Sequence, residues 1–120
     1  EAAGNIVFFF FCTQTALANY YARARVHVLP SWFETCGLSS HEAAAMGCNI
    51  VITAKGYTRD YFGDEAFYCD PGKPASILEA VMQAATTATP MQLADSIKTN
   101  YTWERAAAMT LSAYQTVLHS

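Results

Sequence analysis

Val26-His27-Val28-Leu29-Pro30, then Ser39-Ser40-His41-Glu42-Ala43-Ala44-Ala45-Met46-Gly47, then Asn49-Ile50-Val51-Ile52-Thr53: these three stretches decide the fold. The first and third are short and rich in β-branched residues, which pack well on a pleated surface. Pro30 ends the first strand because it has no N–H to give to a ladder. Ser39 and Ser40 offer caps for a helix over Ser40–Met46, and Gly47 suits a left-handed stop. Strand, helix, strand in so short a span is the unit of a parallel sheet.

Working outward, the same alternation continues. Ile6-Val7-Phe8-Phe9-Phe10-Phe11-Cys12 has no polar alternation and reads as a strand covered on both faces. Thr13–Ala24 carries Leu17, Tyr20, Tyr21 and Ala24 at helical spacing, with Thr13 or Thr15 as cap. Gly56–Phe62 reads as a loop entering a short helical turn, and Ala66–Cys69 as a short strand closed by the Asp70-Pro71-Gly72 turn. A helix over Ala75–Ala88 is expected to face Ile77, Leu78, Val81, Met82 and Ala85 inward. Pro90 restarts the chain for a helix through Ile97. Thr102 caps a last helix whose apolar side holds Trp103, Ala106, Ala107, Met109, Ala113, Val117 and Leu118, with Trp103 and Tyr114 as packing residues. The fold class is α/β, Rossmann-like, a mostly parallel sheet flanked by helices, in one domain over 1–120.

Composition narrows the function. Of 120 residues, 52% are hydrophobic and 14% charged, enough to bury a core. The formal charge of −3 and the lack of a basic stripe exclude a nucleic-acid reader. The longest apolar run, Ile6–Cys12, is seven residues and too short to cross a bilayer. No basic segment precedes it, and the first residue is Glu1, so a processed form or a fragment is expected rather than a signal peptide. Cys12, Cys36, Cys48 and Cys69 show no C-x-x-C spacing and read as small apolar fillers in a reducing compartment. Cytoplasm is the expected location.

Ligands of open parallel sheets bind at the carboxyl ends of the strands, so the segment after Leu29 is where chemistry belongs. It holds Glu34 and Glu42, eight positions apart, around Gly37. A bend at Gly37 folds Glu34 back over the helix start and brings both acids to the rim of one cleft. The amides of Leu38, Ser39 and Ser40 then point out of the helix N-terminus, where phosphate or sugar hydroxyls bind. Carboxylates accept hydrogen bonds only, which suits vicinal hydroxyls. The plain alternative makes Glu34 a solvated loop residue and Glu42 support for the first helical turn. His41 is expected on the exposed side of the helix, and Asp60 as a structural cap.

The string Pro-Ser-x-x-Glu-x-x-Gly-Leu-x-x-x-Glu-Ala-x-Ala-x-Gly-x-x-Ile-Val, from Pro30 onward, resembles the E-x(7)-E segment of retaining glycosyltransferases of family 4 (group 1), which have the GT-B fold. The likeness extends through Ala24, Gly56, Asp70-Pro71, Tyr101-Thr102-Trp103-Glu104 and Tyr114. It implies part of the C-terminal, nucleotide-sugar-binding domain. In that frame Glu34 contacts the hydroxyls of the donor sugar and is the catalytic position, while Glu42 binds the nucleotide ribose. Cys36, Gly37, Leu38 and Ser39 belong to the donor site, and Tyr57 and Thr58 line the nucleotide side. Cys36 stands where the family usually has an aromatic residue, and Asp60 where it usually has Glu.

The resemblance further implies an NDP-sugar substrate, no metal or other cofactor, and an acceptor glycan or lipid held by an N-terminal domain outside this chain. The basic pair that neutralises the donor diphosphate lies upstream in the family; here only Lys55 and Arg59 are nearby. The isolated chain is therefore expected to transfer no sugar. Its location is cytoplasmic or peripheral at the inner face of a membrane. Without the preceding strands of the doubly wound sheet, Ile6–Cys12 is expected to pair with Val26–Leu29 or to join a second copy through an exposed strand edge. A receiver domain is disfavoured because no Asp follows the first three strands, and a metal-dependent transferase because no Asp-x-Asp occurs. A sugar-nucleotide-binding module, epimerase or phosphorylase on the same fold is the alternative.

Overall fold

The computed structural model describes residues 2–89 and 91–120. Strands β1 (Val26–Leu29), β2 (Asn49–Thr53) and β3 (Phe67–Cys69) form one sheet in the order β1-β2-β3. Both pairings are parallel, with Val26 opposite Asn49 and Val51 opposite Phe67. The helices are α1 (Gln14–Arg23), α2 (Leu38–Ala45), α3 (Thr58–Phe62), α4 (Pro74–Thr86), α5 (Met91–Asn100) and α6 (Trp103–Leu118). The expected α/β class and parallel sheet are present. Pro90, read as the restart of the chain before α5, lies outside the described residues.

β2 shows why the sheet is central. All five of its residues are buried, and the two-residue side-chain period sends them to opposite faces. Ile50 and Ile52 join Tyr21, Ala43, Ala44, Cys48, Phe62, Leu93 and Ile97 beneath α1, α2 and α5, whereas Val51 joins Cys69, Ala80 and Ala84 beneath α4. Asn49 is buried too, and its amide donates to the carbonyls of Ala84 (2.8 Å) and Thr87 (2.9 Å) at the end of α4. The Arg25 side chain also donates to the carbonyls of Ala85 and Thr87. Two side chains thus answer the orphan carbonyls of one helix terminus. Caps on α1 and α6 are as expected: Thr13 accepts from the Ala16 N–H (3.2 Å) and Thr102 from the Arg105 N–H (3.1 Å).

Several expectations are corrected. Ile6–Phe11 is no strand and pairs with nothing in the sheet; its side chains are exposed, Phe10 fully so, and Phe9 alone stacks on Tyr20 at 4.7 Å. A strand covered on both faces needs layers above and below it, and here those layers are taken by β1–β3. The inward stripe of α4 is Ile77, Ala80, Val81 and Ala84, while Leu78 and Met82 face out. Trp103 and Tyr114 do not pack: α6 has no buried residue, and Trp103 is 82% exposed. Asp60 makes no side-chain cap; its backbone N–H bonds the Tyr57 carbonyl. Neither Ser39 nor Ser40 is the N-cap of α2, a place held by Gly37.

Candidate functional site

The site is built where β1 and β2 end. After Pro30 the chain crosses to the loop beyond β2 and forms a single parallel bridge, Glu34 with Gly56. The Glu34 N–H donates to the Lys55 carbonyl (3.1 Å), and the Tyr57 N–H donates to the Glu34 carbonyl (3.0 Å). Gly56 makes this approach possible: a Cβ there would stand 2.0 Å from the Glu34 carbonyl oxygen. The chain then turns at Gly37, in the left-handed region at φ 71, ψ 55. That conformation costs an L residue roughly 1–2 kcal/mol and a glycine little.

The turn brings the Glu34 carboxylate back as expected. Its Oε1 accepts from the Gly37 N–H at 3.2 Å, which leaves Oε2 to other donors. The first intrahelical bond of α2 runs from the His41 N–H to the Gly37 carbonyl, 3.0 Å. The amides of Leu38, Ser39 and Ser40 precede that bond, and Gly37 has no side chain to cap them. They form the donor-rich end of a helix dipole.

Glu42 lies one turn into α2, exposed, on the same stripe as Leu38 and Ala45. All three line a cavity of about 680 Å³ with Tyr101, Trp103 and Arg105. Glu34 is not among the residues on its wall. Glu34 is tied to the strand ends and to Gly37, whereas Glu42 sits on the helix flank. The Tyr21 hydroxyl reports that flank, its pKa raised by burial first and then by the negative charge of Glu42.

The other sequence-named residues divide. Cys36 is half-buried beside Gly37, and the Tyr61 phenol lies above its usual 10.0 chiefly because of Cys36's charge. Leu38 is exposed and Ser39 half-buried. Tyr57 is exposed, its ring edge-on to Phe33 at 6.1 Å. Thr58 is fully buried and its hydroxyl donates to the Thr53 carbonyl (2.8 Å), so its side chain holds the loop. His41, read as exposed, is only 7% exposed. The physical reason is angular: about 100° separates neighbours on a helix, so an outward Glu42 turns His41 inward.

The nearby cations are largely engaged. The Arg59 guanidinium stacks on the Tyr68 ring at 4.0 Å. Lys55 lies 3.8 Å from Asp70 and 5.5 Å above the Trp32 ring, and Lys73 lies 3.7 Å from the same carboxylate. Asp70 is held below its usual 3.8, first by the Gly72 N–H and then by the two lysines. Lys73 and Trp32 were not singled out from the sequence, although the Asp70-Pro71-Gly72 turn that places Lys73 is legible there.

A three-stranded parallel sheet flanked by helices, with a glycine-turned acidic loop at its carboxyl end, defines a Rossmann-like α/β unit. The chain belongs to the glycosyl transferases group 1, whose family profile matches residues 1–101. It is 35% identical over 104 residues to a D-inositol 3-phosphate glycosyltransferase of Arthrobacter sp. (strain FB24), covering 82% of this chain and 25% of that protein. It is 29% identical over 105 residues to the O-antigen chain mannosyltransferase B of Escherichia coli, covering 82% and 27%. The chain thus spans about a quarter of the length of these curated relatives. Its fold matches sucrose-phosphate synthase from Thermosynechococcus elongatus with a TM-score of 0.74 at 24% identity, over 86% of this chain and 28% of that one. Among the described residues no helix is long and apolar enough to cross a membrane.

Proposed function

We propose that this chain is the nucleotide-sugar-binding part of a retaining glycosyltransferase. The observation that carries the reading is the fixed position of Glu34, with a backbone clamped by Lys55 and Tyr57 and one carboxylate oxygen closed on the Gly37 N–H. A carboxylate immobilised at strand ends beside unpaired helix amides suits a polyhydroxylated anion: hydroxyls meet the acid and diphosphate meets the amides. Glu34 takes hydroxyls of the donor sugar at the reacting centre, and Glu42 takes the ribose hydroxyls. The amides of Leu38 and Ser39 face the sugar or diphosphate, Gly37 holds the turn beside them, Cys36 forms part of the pocket wall, and Tyr57 flanks the nucleotide. The names of the two curated relatives, one acting on an inositol phosphate and one adding mannose, support a sugar-transfer role in glycan or glycolipid assembly.

Transfer itself needs more than this chain holds. A departing diphosphate requires positive charge or hydrogen-bond donors, yet Arg59 is stacked on Tyr68 and Lys55 faces Asp70. The acceptor, a glycan or lipid, is held by another part of the enzyme, and the isolated chain binds donor weakly without turnover. Saturation-transfer NMR with a panel of nucleotide sugars tests this on wild type and Glu42→Ala. Binding that weakens in the variant supports the reading, and identical spectra for the two proteins refute it. Turnover of a radiolabelled donor by the chain alone would refute the second half.

A further inference from the structure

His41 makes a contact that the donor-site reading does not use. Its ring is buried among Tyr61 (5.1 Å), Phe62 (4.7 Å) and Tyr101 (5.1 Å). Its Nδ1 lies 3.0 Å from the Gly37 carbonyl oxygen, which also receives the His41 backbone N–H. A carbonyl only accepts, so Nδ1 carries a proton, and in the neutral ring Nε2 is then a lone pair. That Nε2 is buried with no hydrogen-bond partner among the described residues.

A buried acceptor without a donor is destabilising, and an apolar side chain of similar size would fill the aromatic cage without one. The ring therefore contributes something other than core stability, and its one polar contact shows what. Both polar groups of the Gly37 backbone are tied: the N–H to the Glu34 carboxylate and the carbonyl to His41. The space is closed on a third side, since a Cβ at Gly37 would meet Ile52 Cδ1 at 3.1 Å. We propose that His41 is a positioning residue for donor binding: its Nδ1–H fixes the left-handed Gly37 turn, and so holds Glu34 and the first amides of α2 in one orientation toward the sugar and diphosphate. This rests on the donor-site reading above.

Three proteins test it: wild type, His41→Leu, which fills the cage without a donor, and His41→Asn, whose side-chain N–H can replace Nδ1–H. Hydrogen exchange of the Gly37 amide is measured without ligand, and affinities are measured by calorimetry with UDP-glucose, GDP-mannose and ADP-glucose. His41→Leu is expected to be at least as resistant to urea as wild type. Its Gly37 amide should exchange about tenfold faster and its nucleotide-sugar affinity should fall about tenfold, the scale of one hydrogen bond. His41→Asn should restore both to within about threefold, a rescue no merely structural role predicts. Unchanged exchange and affinity in His41→Leu, or an Asn variant as impaired as the Leu one, would overturn the assignment alone. A wild type that binds none of the three sugars would overturn the donor reading and His41's role with it. If His41→Leu does not fold, nitrogen NMR of wild-type His41 decides: a proton on Nδ1 upholds the contact, and one on Nε2 overturns it.

Discussion

Replacing Gly56 by alanine should damage the chain far more than the same change at Gly47. Both glycines lie at positive φ, 105° and 97°, so an L residue is strained at either by roughly 1–3 kcal/mol. The surroundings differ. A Cβ on Gly47 meets nothing within 4 Å, while one on Gly56 falls 2.0 Å from the Glu34 carbonyl oxygen and 2.9 Å from its C and N atoms. Backbone cannot swing aside as a side chain can, so Gly56→Ala must push Glu34 out of its bridge. Overpacking of this kind costs about 1–3 kcal/mol more, and the two hydrogen bonds of Glu34 with Lys55 and Tyr57 are lost with it. Urea unfolding is the assay. With a slope of about 1–3 kcal/mol/M, the midpoint of Gly56→Ala should fall about 1 M below that of Gly47→Ala. Equal midpoints for the two variants would show that Glu34 is not clamped as described.

The remaining expectations concern the parts around the site. Asn49→Ala removes the two hydrogen bonds from its amide to the end of α4 and should cost about 2–3 kcal/mol in urea unfolding, against less than about 0.5 for an exposed Asn100→Ala. Trp103→Ala and Tyr114→Ala, made in this chain, should each change stability by less than about 0.5 kcal/mol, since α6 buries nothing; a loss several times larger would restore them as packing residues. Burial holds the His27 imidazole below its usual 6.5, so the unfolded chain binds the proton more readily than the folded one. Stability should therefore decline as pH drops below 6.5 toward the folded value. His27→Leu should flatten that slope in urea titrations between pH 5 and pH 7, and an unchanged slope would place the coupling elsewhere.

Much of this fold is legible in the chain because local signals agree with the global one. Asn49–Thr53 reads as a strand and is one, buried along its whole length beneath the helices on its two faces. Thr13 and Thr102 read as caps and act as caps. The failures share one cause: an apolar pattern says that a segment can be buried, never what will bury it. Ile6–Phe11 and α6 carry large apolar side chains that the described residues leave mostly exposed.

Within the site, Gly37 and Glu34 were accessible to reasoning because a left-handed turn has a residue signature. Thr58 and His41 were not, since whether a polar side chain is spent on a backbone carbonyl depends on distances set by the fold.

Affinities of a nucleoside diphosphate and of its sugar conjugate, compared across Glu34→Gln, Glu42→Gln and the parent sequence, probe the division of labour between the two acids. Glu42→Gln should weaken both ligands alike, by the order of 1–3 kcal/mol expected for a lost carboxylate–hydroxyl contact. Glu34→Gln should weaken only the sugar conjugate and leave the bare diphosphate untouched. Equal loss of both ligands in Glu34→Gln, or loss of neither in Glu42→Gln, would contradict the assignment of sugar to one acid and ribose to the other.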